Sequence, residues 1–480
     1  MAKNLVKPKE LPAELRTKNF DEVVSGYTEE EMLEEASRCI QCKNPRCISG
    51  CPVGIDIKKF IYQLTQKDYK GAFETIYEKN RFPSICGRVC PAEYQCRKSC
   101  VFTPKNLPYA SENAINIPLL ERFVGDYARK HNLILNLQQT NKKTNLKVAC
   151  IGSGPASLTV AGELARYGIE VDVFEALHTL GGVLSYGIPT FRLPRDVLNY
   201  EINLLTNYGV KFYTGVIVGR TISFYELKKT YDTIFIGTGA GAPTWLNIKG
   251  ESLINIYSAN EYLTRVNLMH ADKFPQYHTP VNVGKNIVVI GGGNTAMDAA
   301  RVALRMQKIN FITDGKVTVL YRRTELEMPA RKVEIEHAKE EGVEFQFLVQ
   351  PVEFIGDKEG KVVGVKCLKC ELGEPDESGR RRPVPIEGSE FIIDTDLVIV
   401  AIGLKANQTL SDTVPELKTT KWGDIIVNPE TMETSIENVY AGGDIVGGEG
   451  TIIEAMGMGK KAASAILKKI WFNLTSLFYN

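Results

Sequence analysis

Hydrophobic and polar positions divide the chain into two stretches of different period. In the first, Thr28 and Glu31 form a capping box, and Met32, Leu33 and Ala36 put apolar groups on one face of a helix that runs into Cys39. The same spacing predicts helices over 57–65 and 69–78, and a further one over 118–129, opened by Pro118. This front part carries no strand pattern. After the polar stretch 138–145 the period changes, and strand, glycine turn and helix follow one another at 147–167 and again at 286–306. Two such units imply two dinucleotide-binding modules. The expected fold class is α/β: a helical domain over 1–145, then two Rossmann-like domains, one over 146–275 and 405–480 and the other, inserted in it, over 276–404. The segments 270–282, with two prolines, and 404–409 are the expected crossings between them.

The length of 480 residues suits about three domains. With 44% hydrophobic and 24% charged residues the composition is globular, and 58 basic against 57 acidic side chains leave no general field for nucleic acid. No stretch approaches the roughly 20 apolar residues of a membrane span, and MAKNLVKPKELPAEL at the start lacks the apolar centre of a signal peptide. A cytoplasmic location is expected, with neither nucleic-acid nor membrane partner. Lys3, Lys7 and Lys9 read as a frayed, solvated arm.

Cysteine placement changes the picture. Eight of the 11 lie between Cys39 and Cys100, in two groups: Cys39, Cys42, Cys47 and Cys51, with Pro52 next, then Cys86, Cys90, Cys96 and Cys100. In a reducing compartment such crowding means metal rather than disulfide. Zinc ribbons pair two C-x-x-C knuckles, and the second group has none. The first group's C-x-x-C-x4-C-x3-C-P run is of ferredoxin type, in which a short loop wraps one cubane but cannot supply every corner. Two 4Fe-4S clusters are expected. Cys367 and Cys370 also form C-x-x-C, but VVGVKCLKCELGE alternates as a strand that sends the pair to opposite faces; they and Cys150, inside an apolar strand, read as structural.

The strand at 147–151 feeds Gly152, Gly154 and Pro155 before a helix, so a pyrophosphate can rest on helix N–H groups. Ser157 stands where a third glycine is usual and is small enough for close packing. Glu175 ends the following strand, where a carboxylate can accept hydrogen bonds from an adenosine ribose. In the second unit Gly291, Gly293 and Ala296 open the helix, and the next strand, 316–321, is followed not by an acid but by Arg322 and Arg323. Guanidinium forks match a 2′-phosphate, so NADP(H) rather than NAD is expected there. The five histidines form no acid-base constellation, which argues against hydrolysis and leaves no side chain as an expected catalytic group.

SRCIQCKNPRCISGCPVGIDIKKFI together with RFPSICGRVCPAEYQCRKSCV resembles a known family, and the resemblance spans nearly the whole chain. The family contains the small subunit of NADPH-dependent glutamate synthase, the large subunit of NADH-dependent reduced ferredoxin:NADP oxidoreductase, and the N-terminal part of dihydropyrimidine dehydrogenase. GGVLSYGIPTFRLP at 181–194 and YAGGD, ending at Asp444, resemble its flavin-contacting segments. The resemblance implies FAD at the first module, held by Gly152, Gly154, Pro155, Ala156, Glu175, Gly182, Asp444 and Thr451. It implies NADP(H) at the second, held by Gly291, Gly293, Asn294, Thr295, Arg322 and Arg323. One cluster falls to Cys39, Cys42, Cys47 and Cys100, the other to Cys51, Cys90 and Cys96, with its last corner filled by Glu121 of IPLLERF, the favoured ligand, or by Cys86. A helix over 452–468 would offer the positive end of its dipole to a reduced flavin.

These parts describe an electron conduit between NADP(H), FAD and the clusters, exchanging electrons with a partner subunit. PVGIDIKKFI looks closest to the ferredoxin:NADP transhydrogenase type, with the glutamate synthase small subunit as the alternative and a cluster-bearing scaffold without turnover as the remote one. Neither glutamate synthesis nor pyrimidine reduction fits this chain alone, because nothing beyond the two nucleotide modules is left to build an FMN barrel.

Overall fold

The computed structural model describes residues 5–133, 144–376, 379–447 and 450–478. Residues 138–143 of the polar stretch and Lys3 of the basic arm lie outside them. Short helices build the front part. Glu29–Ser37 starts with the capping box of Thr28 and Glu31. Asp56 and Asp68 open Ile57–Thr65 and Tyr69–Tyr77 by accepting from the N–H groups of Lys59 and Gly71. Pro83–Val89 and Ile117–Lys130 carry proline in their first turns. The apolar faces of these helices, with Phe60, Leu64, Phe73 and Leu120, meet in a core that continues into Leu158, Ile453 and Met456 of the first nucleotide unit. One continuous core fixes the two parts against each other.

Two parallel five-stranded sheets follow. The first is ordered Val439–Ala441, Thr233–Ile236, Lys147–Ile151, Glu170–Glu175, Lys211–Thr214; the second Ile256–Ser258, Leu397–Val400, Asn286–Ile290, Lys316–Tyr321, Glu344–Phe347. In each, the glycine turn leaves the central strand where the strand order reverses, the place where open parallel sheets bind ligands. Val439–Ala441 belongs to the first sheet yet follows the whole second sheet in sequence, so the second unit is inserted in the first.

The insertion begins earlier than the expected boundary at 276. Ile256–Ser258 already pairs with Leu397–Val400 in the second sheet. The outgoing chain passes along Ala240–Pro243, which pairs antiparallel with the returning Leu404–Ala406. The segment 270–282 is no crossing; it is a loop inside the second unit, ahead of Asn286–Ile290. A three-residue strand is too short to display a period, whereas the prolines of that loop read as a boundary.

The N-terminal arm is also a correction. Lys7 and Lys9 are solvated, but the backbone is not frayed. Tyr27 donates to the Val6 carbonyl at 2.5 Å, Leu11 N–H donates to Val23 at 2.9 Å, and the buried Arg16 pairs with Glu340 at 2.9 Å on helix Lys332–Glu341. The arm thus crosses from the helical front to the second nucleotide unit.

A cluster of buried charges joins the two nucleotide units. Arg192, from the segment after Gly182, pairs with Asp298 at 2.6 Å and Glu334 at 2.9 Å. Arg301 pairs with Glu334 at 2.5 Å and Glu341 at 2.7 Å, and Arg305 with Glu341 at 2.7 Å. The ring of Phe191 lies under both guanidinium groups, 4.6 Å from that of Arg301 and 3.9 Å from that of Arg305. Removing one partner strands the others in a water-free site. Arg301→Ala is expected to destabilise the protein by about 3–5 kcal/mol, read as a lowered urea midpoint; a change below ~1 kcal/mol, the range of an exposed pair, would show that water reaches this cluster.

Candidate functional site: two thiol-lined cavities beside two glycine turns

At the first turn Gly152 has φ +91°, and a Cβ there would lie 2.5 Å from the Gly237 carbonyl oxygen. Gly154 caps the helix Pro155–Ala165, with Ala156 buried in its first turn, and a Cβ on Gly154 would meet nothing closer than 3.8 Å. This leaves an open cradle at a helix N-terminus, which fits a pyrophosphate. Ser157 packs against Gly237, whose missing side chain makes room for the larger residue. Glu175 is buried and already occupied: Ser153 N–H and Oγ donate to Oε2 at 2.8 and 2.5 Å, and Leu177 N–H donates to Oε1 at 2.8 Å. With three of about four acceptor positions filled, Glu175 holds the loop and keeps room for one hydroxyl. Gly182 lies against Gly154. Asp444 begins the turn Asp444–Gly447, and burial raises the Tyr186 hydroxyl to about 12 with a further push from Asp444 and Glu175, so these segments converge on one place.

The second turn repeats the plan. Gly291 has φ +142°, with a Cβ position 2.1 Å from the Ala401 carbonyl oxygen, and Gly293 caps Asn294–Ile309 with open space beside it. Asn294 Oδ1 accepts from Arg331 N–H at 2.9 Å and Gly292 O accepts from Ala330 N–H at 3.1 Å, so residues 325–331 fold back over the turn. Thr295, in the first helical turn, is half-buried. The two arginines part company. Arg322 is exposed, whereas Arg323 is buried, its Nε donating to Arg381 O at 2.7 Å and its Nη2 to Asp376 at 2.6 Å. The pairing of both on one phosphate is therefore corrected: Arg323 serves the hairpin of Val362–Pro375 and Arg381–Pro385. In the same hairpin Cys367 and Cys370 are buried, Cys367 opposite Phe391 and Cys370 opposite Pro385, and burial pushes the Cys367 thiol up to about 12.

The front part encloses two cavities. Cys39, Cys42, Cys47 and Cys100 line one, and Cys51, Cys90, Cys96 and Glu121 line the other; Ile57 and Ile117 belong to both walls. Burial raises the Cys47 thiol to about 12, with Cys100, Cys39 and Cys42 adding to it, and raises Cys51 to about 11. Burial also raises the Glu121 carboxyl to about 8, although Asn80 Nδ2 donates to it at 2.6 Å. A set of four donors, mostly or wholly sulfur, suits iron and sulfide rather than a hard ion. Cys86 is not on the wall. It is hydrogen-bonded to the free thiol of Cys90, and its own thiol donates to Met456 Sδ at 3.7 Å. The second cavity also touches Ile453 of the helix Ile452–Phe478, and Gln95 beside it donates to Thr451 Oγ at 3.3 Å. Asn80, Gln95 and Ser153 escaped sequence reasoning, since each acts on a residue more than 20 positions away without any motif of its own.

The family described as pyridine nucleotide-disulphide oxidoreductase matches residues 146–459. The chain belongs to that family. Residues 16–133 match the domain described as dihydropyrimidine dehydrogenase domain II, 4Fe-4S cluster. The small chain of NADPH glutamate synthase from Azospirillum brasilense is 35% identical over 96% of this chain and 93% of its own length. The β subunit of an NADP-dependent formate dehydrogenase from Moorella thermoacetica is 36% identical over 88% of this chain, which spans 59% of that protein. Among solved structures, Mycobacterium tuberculosis FprA in complex with NADPH superposes with a TM-score of 0.59 over 70% of this chain and 86% of its own, at 21% identity, a likeness of fold. This member of the oxidoreductase family thus combines an FAD- and NADP-binding portion with a 4Fe-4S domain. Among the described residues no helix is long and apolar enough to cross a membrane.

The Glu121 carboxyl gives a pH test in chain freed of iron by chelation. Folded, its pKa stands near 8 because of burial; unfolded, it returns to the ordinary 4.5. Between these values the folded state holds a proton that the unfolded state has released, so stability falls as pH rises from 4.5 to 8. Urea midpoints across this window should fall less steeply in Glu121→Gln than in the unsubstituted chain.

Proposed function

We propose that this chain is the NADP(H)-reacting electron-relay subunit of a larger cytoplasmic oxidoreductase, with FAD at the first glycine turn, NADP(H) at the second and two 4Fe-4S clusters in the cavities. When bound, the flavin supplies conversion between two-electron and one-electron transfer, and iron-sulfur groups supply one-electron carriage. The observation that carries the reading is the series of neighbours. The Asp444 turn leads through Thr451 to the helix Ile452–Phe478; Ile453 walls the Glu121 cavity; that cavity shares Ile57 and Ile117 with the one lined by Cys39, Cys42, Cys47 and Cys100.

The chain's own residues hold and orient. Helix N-termini at Gly154 and Gly293 receive phosphates, Glu175 takes a hydroxyl, and Arg322 is the side chain free to meet a 2′-phosphate. Asn80 aims Glu121. Ser153 Oγ donates to the Glu175 carboxylate, but both are buried and serve to hold the loop, so the chemistry is left to cofactors. A ferredoxin-linked transhydrogenase subunit is the form supported by PVGIDIKKFI. A glutamate synthase small subunit is the second reading, favoured by the match along 93% of such a protein.

Three measurements test this. Iron analysis should give about eight atoms per chain, two cubanes' worth, and Glu121→Ala should lose one cluster while Cys86→Ala keeps both; the opposite pattern would assign the corner to Cys86. Arg322→Ala should weaken NADPH binding by about 1.5–3 kcal/mol, roughly ten-fold to a hundred-fold, and leave NADH unchanged, with Arg323→Ala acting on stability instead. The purified chain should reduce a one-electron dye with NADPH and form no glutamate from glutamine and 2-oxoglutarate; glutamate formation without added protein overturns the reading.

A further inference from the structure

We propose that Cys86 acts through Cys90 rather than as a ligand: its S–H donates to Cys90 Sγ and raises the reduction potential of the cluster in the Glu121 cavity. The proposal rests on the reading that Cys51, Cys90, Cys96 and Glu121 hold that cluster. Cys86 and Cys90 stand one helical turn apart at the end of Pro83–Val89, where Cys90 N–H donates to Cys86 O at 3.0 Å, so their side chains share a face. Cys90 lines the cavity, whereas Cys86 is fully buried and off its wall. The Cys86 sulfur meets three groups: the Cys90 thiol, the side-chain amide of Asn80, and Met456 Sδ at 3.7 Å. Asn80 Nδ2 also donates to Glu121 at 2.6 Å, and its Oδ1 accepts from Phe82 N–H at 2.9 Å, so one fixed amide serves Glu121 and Cys86 together. The helix that carries the two thiols is clamped as well. Glu201, on Arg195–Asn203, accepts from the N–H groups of Ser84 and Ile85 at 2.6 and 3.1 Å. A Cβ on Gly87 would lie 2.6 Å from Arg122 N, and one on Gly125 would lie 2.7 Å from Ser84 N, so Pro83–Val89 rests directly on Ile117–Lys130.

In the metal-free chain both thiols hold a proton, and Cys86 gives its own to Met456. As a metal ligand Cys90 is a thiolate and can only accept. Cys86, away from the wall, keeps its S–H, and the neutral thioether of Met456 is a weaker acceptor than a thiolate. The S–H therefore turns from Met456 to Cys90. Reduction adds negative charge to a cluster and its ligands, so a donor to a ligand sulfur favours the reduced state, and hydrogen bonds to the sulfurs are among the levers that set such potentials. Asn80, bonded to the same Cys86 sulfur, polarises that S–H further.

The test is a redox titration of the full chain with iron and FAD in place, followed by electron paramagnetic resonance; the signal lost in Glu121→Ala marks the cluster concerned. In Cys86→Ala the ratio of reduced to oxidised cluster at a fixed potential should fall about ten-fold, the size of one hydrogen bond to a charged group, which is a shift of about 59 mV for one electron. Iron content and the midpoint of the other cluster should not change. Cys86→Ser, which keeps an O–H donor, should stay near the unsubstituted value. An unchanged midpoint in Cys86→Ala at full iron content overturns the proposal and leaves the cluster reading standing, as does an equal fall in Cys86→Ser or a matching fall in the other cluster. Loss of one cluster's iron from Cys86→Ala makes Cys86 the ligand and overturns the proposal. An iron count of one cluster in the unsubstituted chain, visible before any potential is measured, overturns the cluster reading and this proposal with it.

Discussion

A guanidinium withdrawn from water must be paired, and in this protein that requirement holds the nucleotide units in register. Arg301 and Arg305 meet Glu334 and Glu341 between the helices Asn294–Ile309 and Lys332–Glu341, and Arg192 reaches Asp298 and Glu334 only when the segment after Gly182 lies against those helices. Phe191 adds an aromatic face beneath Arg301 and Arg305. Arg331 extends the same logic to the helical front, through Glu93 at 3.2 Å and the Arg88 carbonyl at 3.3 Å. Breaking such a network leaves stranded charge rather than merely lost attraction, so the penalty falls on any other arrangement of the three parts. The glycine turns and the cavities inherit their mutual positions from it.

The cavities face the opposite electrostatic problem. Arg46 lines the first cavity, yet burial still raises Cys47, and in the second it raises Cys51 and the Glu121 carboxyl. Arg97, half-buried next to Cys96, is a second nearby cation, and burial lowers its own pKa. A site of this kind is poor as a catalytic acid or base and good as a ligand set, since a metal group repays the ionisation of every donor at once.

Much of this was legible in the sequence because it is local. The capping box at Thr28, the glycine turns and the cysteine runs are each written within a few residues, and so is the division of the cysteines, once family likeness pairs Cys100 with the first group. What stayed hidden is non-local or silent. Glu121 on Ile117–Lys130 was named by family likeness, but its hydrogen bond from Asn80, 41 positions away, has no local signal. The opposite fates of Arg322 and Arg323 left no trace, because Val317 to Tyr321 is buried on both faces and shows no alternation to extend. Lys7 and Lys9 read as a frayed arm, since nothing near them announces that Arg16, further along, pairs with Glu340.

The arrangement also explains why so few titratable side chains stand near the chemistry. The wall common to the two cavities is made by Ile57 and Ile117, and the first turn of the helix Ile452–Phe478 contributes Ile453. Apolar walls let an electron pass between close centres but give a proton no relay of hydrogen-bonding groups. On the proposed function, proton exchange would stay on the glycine-turn side, where Glu175, Tyr186 and Asp444 gather, and charge alone would cross the helical front. A histidine or an unpaired carboxylate placed between the cavities would blur that separation, and the described residues of their shared wall contain neither. On the proposed function, the apolar shared wall would thus divide two kinds of transfer between two parts of one fold.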